Sequence, residues 1–297
     1  MVELMKSDGK SRKYLKGIAG VLGSVILLST FVGTATAYNA TERIDISGST
    51  TVFPIVELCR EAFMDEHKVQ MHVSPTGSGT GIKELGRGTV EIAMASRELK
   101  DAEREAWPDV DFYEIPIAHD GVAVIVSKSI YNDALKPVTG LTIEQVRGIY
   151  NGTIRNWNLV GGPDKPIAVH ERQEGSGTRD TFMGAVFRGV KDPRVPQPSG
   201  SHESNAELKS AVAETDNAIG YVGLGYVNDK TPSVMLNGVL CSPENIVSED
   251  YPISRMLYLY TDGEPSGMVK EFIDFVLSED GQDIVSEEGF IRIGLSE

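Results

Sequence analysis

One local pattern recurs along this chain and restricts its possible folds: a strand-like segment, then a loop rich in Gly, Ser and Thr, then a helix-like segment. The loops span residues 48–51, 77–81 and 175–178. After the first loop, Ile55, Cys59 and Phe63 recur at the spacing of a helix that packs on a core. Short strands that alternate with helices in this way predict an α/β fold with mainly parallel sheets.

The composition of these loops indicates anion binding. A helix N-terminus presents unpaired N–H groups and the positive end of the helix dipole. Glycine lets the backbone approach a ligand closely, and Ser and Thr add hydroxyl donors. A single loop of this kind is explained equally well by ordinary capping of the helix. Three such loops in one chain, with Arg172 before the third, favour an anion site.

The familiar nucleotide and catalytic motifs do not fit these loops. Ile82 separates Gly81 from Lys83, so the phosphate loop of nucleotide-binding enzymes fails. Ile82 also stands where the dinucleotide motif requires its third glycine. Neither Ser78 nor Ser176 lies in the G-x-S-x-G pattern of serine hydrolases. No zinc-binding spacing is present, and we expect no cofactor and no metal.

Residues 1–37 have the plan of a secretory signal peptide. A basic stretch precedes the uncharged apolar run 17–33, and Ala35-Thr36-Ala37 resembles a cleavage site. The alternative is a retained membrane anchor, because the apolar run is at the lower limit for crossing a bilayer. Cys59 and Cys241 are expected to be free, since Cys59 falls on the apolar face of a helix.

The chain is strongly acidic, with a formal net charge of −15. Removal of the basic N-terminal segment would make the net charge still more negative. The electrostatic field of so acidic a protein repels nucleic acid. We therefore expect no nucleic-acid partner, and the net charge does not identify what the protein binds.

Several segments in order resemble the substrate-binding proteins of phosphate ABC transporters, of the periplasmic-binding-protein type II superfamily. The most specific is R-x-x-G-S-G-T after a strand, at Arg172–Thr178. SGSTTVFPI, PTGSGTGIKEL, IAMASREL, IPIAHDGVAVIV, LTIEQVRGIYNGTIRNWNLVGG, AIGYVGLGYV and YPISRMLYLY supply further matching blocks. The resemblance covers residues 44–297.

This resemblance implies a two-lobed α/β fold. Each lobe would be a mainly parallel sheet flanked by helices, and a two-strand hinge would let the lobes close over one phosphate. The lobe boundaries predicted from the sequence are 41–126 plus 226–297 for the first lobe and 127–225 for the second.

The resemblance also implies a set of ligand-binding residues. From the first lobe they are Thr50 or Thr51, Val52 through its N–H, Ser78 and Ser96. From the second lobe they are Arg172, Ser176, Gly177 through its N–H and Thr178. Glu174 would orient Arg172, whose planar guanidinium matches two phosphate oxygens.

One position departs from the family pattern. In its best-known branch a carboxylate follows the Ser that ends the third strand and accepts the proton of hydrogen phosphate, but here Arg97 stands there. A site for hydrogen phosphate needs an acceptor as well as donors. We expect Asp120 to be that acceptor, with Glu98 and Glu174 as weaker candidates. Arg97 would either be a second cationic ligand or pair with Asp120.

The function implied is extracytoplasmic binding of inorganic phosphate and its delivery to the permease subunits of an ABC transporter. The protein would be a monomeric binding protein and not an enzyme. One alternative is a receptor for another tetrahedral oxyanion such as sulfate, molybdate or tungstate. Another is an exported phosphoesterase with Ser176 or Ser78 as nucleophile, although no base–nucleophile spacing is visible. A signalling receptor of the same fold is a further alternative.

Overall fold

The described part of the chain alternates helices with short strands. The computed structural model describes residues 42–191 and 193–294, and the predicted signal segment lies outside them. The helices are α1 Phe53–Glu66, α2 Ser78–Gly86, α3 Asp101–Ala106, α4 Lys128–Tyr131, α5 Ile143–Tyr150, α6 Gly177–Val186, α7 Asn205–Glu214, α8 Pro243–Val247, α9 Gly267–Leu277 and α10 Glu279–Glu287. None of these described helices is long and apolar enough to cross a membrane.

The strands form a mixed sheet that is parallel towards both ends. They are β1 Glu42–Gly48, β2 Val69–Ser74, β3 Ile92–Ala95, β4 Phe112–Val126, β5 Gly140–Leu141, β6 Ala168–Arg172, β7 Gly200–His202, β8 Ala218–Gly223, β9 Met235–Leu236, β10 Ser254–Asp262 and β11 Ile291–Arg292. The order is β2-β1-β3-β10-β4-β8-β6-β7, with β11 beside β4, while β5 pairs separately with β9. β1 is parallel to β2 and β3, and β6 is parallel to β7 and β8. This confirms the predicted α/β class.

The long strand β4 joins two hydrophobic cores. Its first part, 112–121, pairs antiparallel with β10, and its second part, 122–126, pairs antiparallel with β8. One core contains Ile46, Ile55 and Phe272, and the other contains Tyr150 and Phe182. The apolar run 122–126 is fully buried, as expected for a strand covered on both faces. The chain therefore has the predicted two-lobed fold.

The core contacts in the structure differ from one lobe boundary predicted from the sequence. The sequence predicts a return to the first lobe at residue 226, but Val234, Tyr251 and Ile253 pack in the core of the second lobe. β9 also pairs with β5 of that lobe. By these contacts residues 234–253 lie with the second lobe, although Tyr226 itself packs against both cores. The intervening segment has little regular structure, so no periodic pattern could indicate its partner.

Both cysteines are free and buried, as predicted. Burial raises the pKa of the Cys59 and Cys241 thiols to about 12. Both side chains therefore remain neutral at physiological pH and serve as small apolar groups in separate cores.

Candidate functional site

The three glycine-rich loops meet between the lobes. They connect β1 to α1, β2 to α2 and β6 to α6. The Thr51 and Thr178 hydroxyl oxygens are 2.9 Å apart, and the Gly79 N–H donates to the Gly175 carbonyl over 3.0 Å. Each of these bonds joins the first lobe to the second. The sequence pattern thus brings three helix N-termini to one buried place.

Two serines of the first lobe face the start of α6. Ser78 Oγ accepts a hydrogen bond from the Ser96 N–H over 3.2 Å and lies 3.3 Å from Ser96 Oγ. A side chain at Gly177 would lie closer than 3.0 Å to both serine oxygens, so glycine is required for this approach. Within the described chain, the N–H groups of Gly177 and Thr178 donate to no protein acceptor.

Ser78 and Ser176 have contacts that do not resemble those of a catalytic nucleophile. The Ser176 hydroxyl caps α6 by accepting from the Arg179 N–H over 3.3 Å. In the described residues neither serine contacts a histidine that could act as a base. Their hydroxyl groups remain suited to donate to an anion.

Arg172 is the buried charge of the site, with only 1% of its surface exposed. Nε donates to the His202 carbonyl over 3.2 Å, while Nη2 donates to the Glu203 carbonyl over 2.7 Å and to Thr50 Oγ1 over 3.0 Å. Nη1 has no partner, and no carboxylate pairs with this guanidinium in the described chain. Burial lowers the pKa of Arg172 to about 10, so it remains charged at neutral pH. A buried cation without a counter-ion is energetically unfavourable, and an anionic ligand would compensate its charge.

The role predicted for Glu174 is wrong. This side chain is exposed and makes no hydrogen bond with Arg172. Backbone carbonyls at the end of β7 orient the guanidinium instead. The pairing of β6 with β7 over a long chain separation supplies these carbonyls, and the sequence gives no signal for it.

Arg97 belongs to an ion-pair network rather than to the hydroxyl cluster. Both terminal nitrogens bind the Glu103 carboxylate, at 2.7 and 2.8 Å, and Nε binds Asp180 at 2.8 Å. Lys100 also pairs with Asp180, at 2.7 Å. The structure therefore corrects both expectations for Arg97, as a ligand and as a partner of Asp120. The network links β3 and α3 of the first lobe to α6 of the second.

Asp120 is the counter-ion of Arg255. Its carboxylate is fully buried, and Oδ2 accepts from Arg255 Nε at 2.8 Å and lies 2.6 Å from Arg255 Nη2. Oδ1 accepts from the Leu224 N–H over 2.9 Å. Both oxygens thus already have donors from the protein, which argues against the expected role of Asp120 as proton acceptor.

Arg255 contacts the site, although sequence reasoning assigned it no role. Nη1 donates to the Ser96 carbonyl at 3.1 Å and to Thr178 Oγ1 at 3.2 Å, and Nη2 donates to Thr51 Oγ1 at 3.3 Å. All three nitrogens of its guanidinium therefore donate to protein acceptors. Its only sequence signal is its position in the block YPISRMLYLY, near the start of β10.

Replacement of Asp120 by asparagine should strongly destabilise the fold. The substitution would leave Arg255 buried without its counter-ion, and breaking a buried pair in this way costs about 3–5 kcal/mol. Urea unfolding would measure the loss. The control is Asp274→Asn, which removes an exposed ion pair with Lys270 and should leave the unfolding free energy nearly unchanged. Equal stability of the two variants would refute this role for Asp120.

Asn205, the first residue of α7, is a second contact that sequence reasoning missed. It is fully buried, and Nδ2 donates to Thr51 Oγ1 over 2.8 Å and to Thr50 Oγ1 over 3.4 Å. Its Oδ1 has no partner in the described chain. In the sequence, Ser204-Asn205 before a helical pattern indicates only a helix cap, and Ser204 does cap α7.

Most of the predicted ligand residues lie together. The cluster contains Thr50, Thr51, Ser78, Ser96, Arg172, Ser176, Gly177 and Thr178. Val52 is at the same loop, and its N–H lies 3.3 Å from Ser49 Oγ. The donors are hydroxyl, backbone N–H and guanidinium groups, a set that is complementary to an oxyanion. The described residues include no group of His, Cys, Asp or Glu side chains placed to hold a metal ion.

The fold and the site together define a class. Two α/β lobes that share a donor-rich cleft are typical of a binding protein that encloses a small ligand. The pattern of the PBP superfamily domain matches residues 34–280.

Comparison with known proteins gives the family. The phosphate-binding protein PstS of Bacillus subtilis is 31% identical over 257 residues, which cover 86% of this chain and 82% of the relative. The PstS of Borreliella burgdorferi is 32% identical over 287 residues, 91% of this chain and 98% of the relative. The chain belongs to this family of phosphate-binding proteins within the PBP superfamily.

Solved structures give the same result. A phosphate ABC transporter substrate-binding protein of Clostridium perfringens, solved with bound phosphate, is 40% identical with a TM-score of 0.77. The match covers 85% of this chain and all of that one. An ABC-type phosphate transport receptor of Vibrio cholerae is 33% identical with a TM-score of 0.68, over 84% of this chain and 99% of that one.

Proposed function

We propose that this protein binds inorganic phosphate outside the cytoplasm and delivers it to the permease of an ABC transporter. The observation that carries the proposal is Arg172, a buried guanidinium with no carboxylate partner in the described chain and an unpartnered Nη1. Nη2 of this guanidinium donates to the Thr50 hydroxyl, and the Thr51 and Thr178 hydroxyls, one from each lobe, bond each other in the same cluster. The relatives in Bacillus subtilis and Borreliella burgdorferi are named phosphate-binding proteins, which supports the same ligand.

The proposed contacts come from both lobes. The hydroxyls of Thr50, Ser78, Ser96, Ser176 and Thr178 donate to phosphate oxygens, together with the N–H groups of Val52, Gly177 and Thr178 and with Arg172 Nη1, while the Thr51 hydroxyl supports that of Thr178. The Val52 N–H can join because its present bond to Ser49 is long, at 3.3 Å. Arg97, Asp120 and Glu174 are left out of the proposed set because their contacts lie elsewhere.

Closure of the lobes follows from this division of contacts. Phosphate would bind most tightly when both halves of the donor set surround it, so binding favours the closed state. A cleft of about 430 Å³ lies beside Arg172 and Ser176. Its mouth is lined by residues of both lobes, including Thr76 and Gln173.

The proposed setting is outside the cytoplasmic membrane. The signal-like segment 1–37 and the transport names of the relatives support export and a permease partner. A periplasmic position or one on the outer face of the membrane fits equally well, and the protein would act as a monomer there.

A thermal-shift panel tests the ligand. Phosphate at about 100 times its Kd should stabilise the protein by about 2.7 kcal/mol, because it binds the folded state alone. Sulfate, molybdate and tungstate at the same concentration should shift the melting temperature far less. A larger shift in melting temperature with one of these three anions would identify that anion, rather than phosphate, as the ligand. The absence of a shift with every anion would reject the proposal.

The ion pairs at Asp180 should contribute to closure. Asp180→Asn removes the partner that Arg97 and Lys100 share across the lobes, while Arg97 keeps its bond to Glu103. We expect phosphate affinity to fall about 3- to 10-fold, since partly exposed pairs contribute roughly 1 kcal/mol. Calorimetry measures the change. Asp283→Asn, which breaks a pair with Arg292 within one lobe, is the control, and equal affinities of the two variants would contradict the closure role.

A further inference from the structure

We propose that Asn205 is a direct ligand whose side-chain carbonyl accepts the proton of bound hydrogen phosphate. This inference rests on the proposed function and goes beyond it, because it identifies a group that distinguishes phosphate from sulfate. It also replaces Asp120 as the acceptor.

Arg172 and Asn205 both donate to the Thr50 hydroxyl, and each has one further side-chain atom without a partner in the described chain. Three buried side-chain polar atoms lack a partner in the described chain: Arg172 Nη1, Asn205 Oδ1 and His170 Nε2, the last on a ring that contacts His202. Arg172 donates through Nη2 to Thr50 Oγ1 over 3.0 Å, and Asn205 donates through Nδ2 to the same oxygen over 3.4 Å. An unpartnered cationic donor and an unpartnered acceptor therefore flank Thr50. Buried polar groups are rarely left unpaired, and a ligand with both oxygens and a proton would satisfy both atoms.

The bonds of Arg255 fix the direction of the neighbouring hydroxyls. Arg255 can only donate, and it donates to both Thr51 Oγ1 and Thr178 Oγ1. Thr51 also accepts from Asn205 Nδ2, so its own proton is directed to Thr178, 2.9 Å away. Thr178 Oγ1 then accepts two hydrogen bonds, from Thr51 and Arg255, and its own proton is free for the anion. This arrangement makes Thr178 a donor towards the anion, leaves the Thr51 proton bonded to Thr178, and keeps Asn205 Nδ2 engaged with the protein.

Asn205 Oδ1 is then the acceptor in a site of donors. The other groups that face the ligand are hydroxyl, N–H and guanidinium donors, and Asp120 is already bonded to Arg255 and Leu224. Hydrogen phosphate carries one O–H, which Asn205 Oδ1 can accept. Sulfate carries none and would place an oxygen against the Asn205 oxygen. Rotation of the amide would relieve that contact only by giving up the two bonds from Nδ2.

The neutral amide also suits the charges of the site. A carboxylate at this position would pair with Arg172 and reduce its attraction for the anion. An amide offers an acceptor for the proton and leaves the guanidinium charge to the phosphate oxygens. The protein can therefore distinguish hydrogen phosphate from sulfate by the phosphate proton, without a carboxylate in contact with the ligand.

Phosphate and sulfate titrations of two Asn205 variants test the inference. Asn205→Ala removes the acceptor, so the ratio of phosphate to sulfate affinity should narrow by about tenfold to a hundredfold. Asn205→Asp keeps an acceptor and adds a charge that repels a fully ionised oxygen. Its ratio should therefore stay at the wild-type value or widen, even if both affinities fall. A narrower phosphate-to-sulfate ratio in Asn205→Ala, together with an unchanged or wider ratio in Asn205→Asp, is the result we expect.

Ser204→Ala is the matched control, because it removes the cap of α7 without touching the anion-binding groups. It should lower stability and leave the phosphate-to-sulfate ratio unchanged. A wild-type ratio in Asn205→Ala, or the same narrowing in Asn205→Asp, would overturn the inference while phosphate binding stands. If the wild-type protein itself binds no phosphate, both the proposed function and the role of Asn205 are overturned.

Discussion

Replacement of Arg172 by alanine should lower phosphate affinity by at least about a hundredfold, roughly 3 kcal/mol. The substitution removes the cation that faces the ligand from the second lobe. It also removes the donor that positions Thr50 Oγ1. Loss of a hydrogen-bonded charge from a desolvated site has a large cost because the remaining groups cannot replace it.

Arg172→Lys should not restore binding. The guanidinium bonds the carbonyls of His202 and Glu203 while Nη1 is left for the anion, and a lysine ammonium cannot reproduce this planar arrangement. Arg60→Ala, which removes a surface ion pair with Glu57 on α1, should bind phosphate like the wild type. Calorimetry would measure all three variants. An Arg172→Ala protein that remains folded and binds within about fivefold of wild type would contradict the assignment.

Replacement of Gly177 by alanine should abolish tight binding while the lobes themselves remain folded. The added methyl group would lie under 3.0 Å from Ser78 Oγ and Ser96 Oγ. It would therefore hold the start of α6 away from the first lobe and displace the anion from its N–H groups. We expect an affinity loss of at least about a hundredfold, because closure and several hydrogen bonds are lost together.

Gly184→Ala is the matched control for Gly177→Ala. Gly184 lies on the same helix, and a side chain there would meet nothing within 4 Å. Alanine should stabilise α6 by about 0.5–1 kcal/mol through its helix propensity and leave phosphate affinity unchanged. Titration of the two variants side by side separates a steric effect in the cleft from a general effect on the helix. Equal phosphate affinities of the two proteins would contradict the close approach of α6 to the serines.

The sequence predicts the parts of this protein that depend on local pattern. Apolar periodicity predicts the α/β class, and the continuous run 122–126 predicts a buried strand. The glycine-rich loops and Arg172 indicate an anion site because helix N-termini and guanidinium groups bind anions wherever they occur. These features need only residues near one another along the chain.

The sequence does not predict the parts that depend on long-range pairing. Arg97 binds Glu103 and Asp180 rather than the anion, a result set by the approach of α3 and α6. Asp120 is bound to Arg255 because β4 and β10 are neighbours, although the two residues are distant in the chain. The role of Asn205 is equally hidden, because its position directly after the Ser204 cap indicates only the start of a helix.

Calorimetric titration of the purified protein with phosphate and with sulfate tests the central claim most directly. We predict one phosphate bound per chain, and sulfate bound weaker by at least about a hundredfold, since sulfate lacks the proton that the site accepts. Absence of binding heat with phosphate at several temperatures, or sulfate binding as tightly as phosphate, would contradict the account.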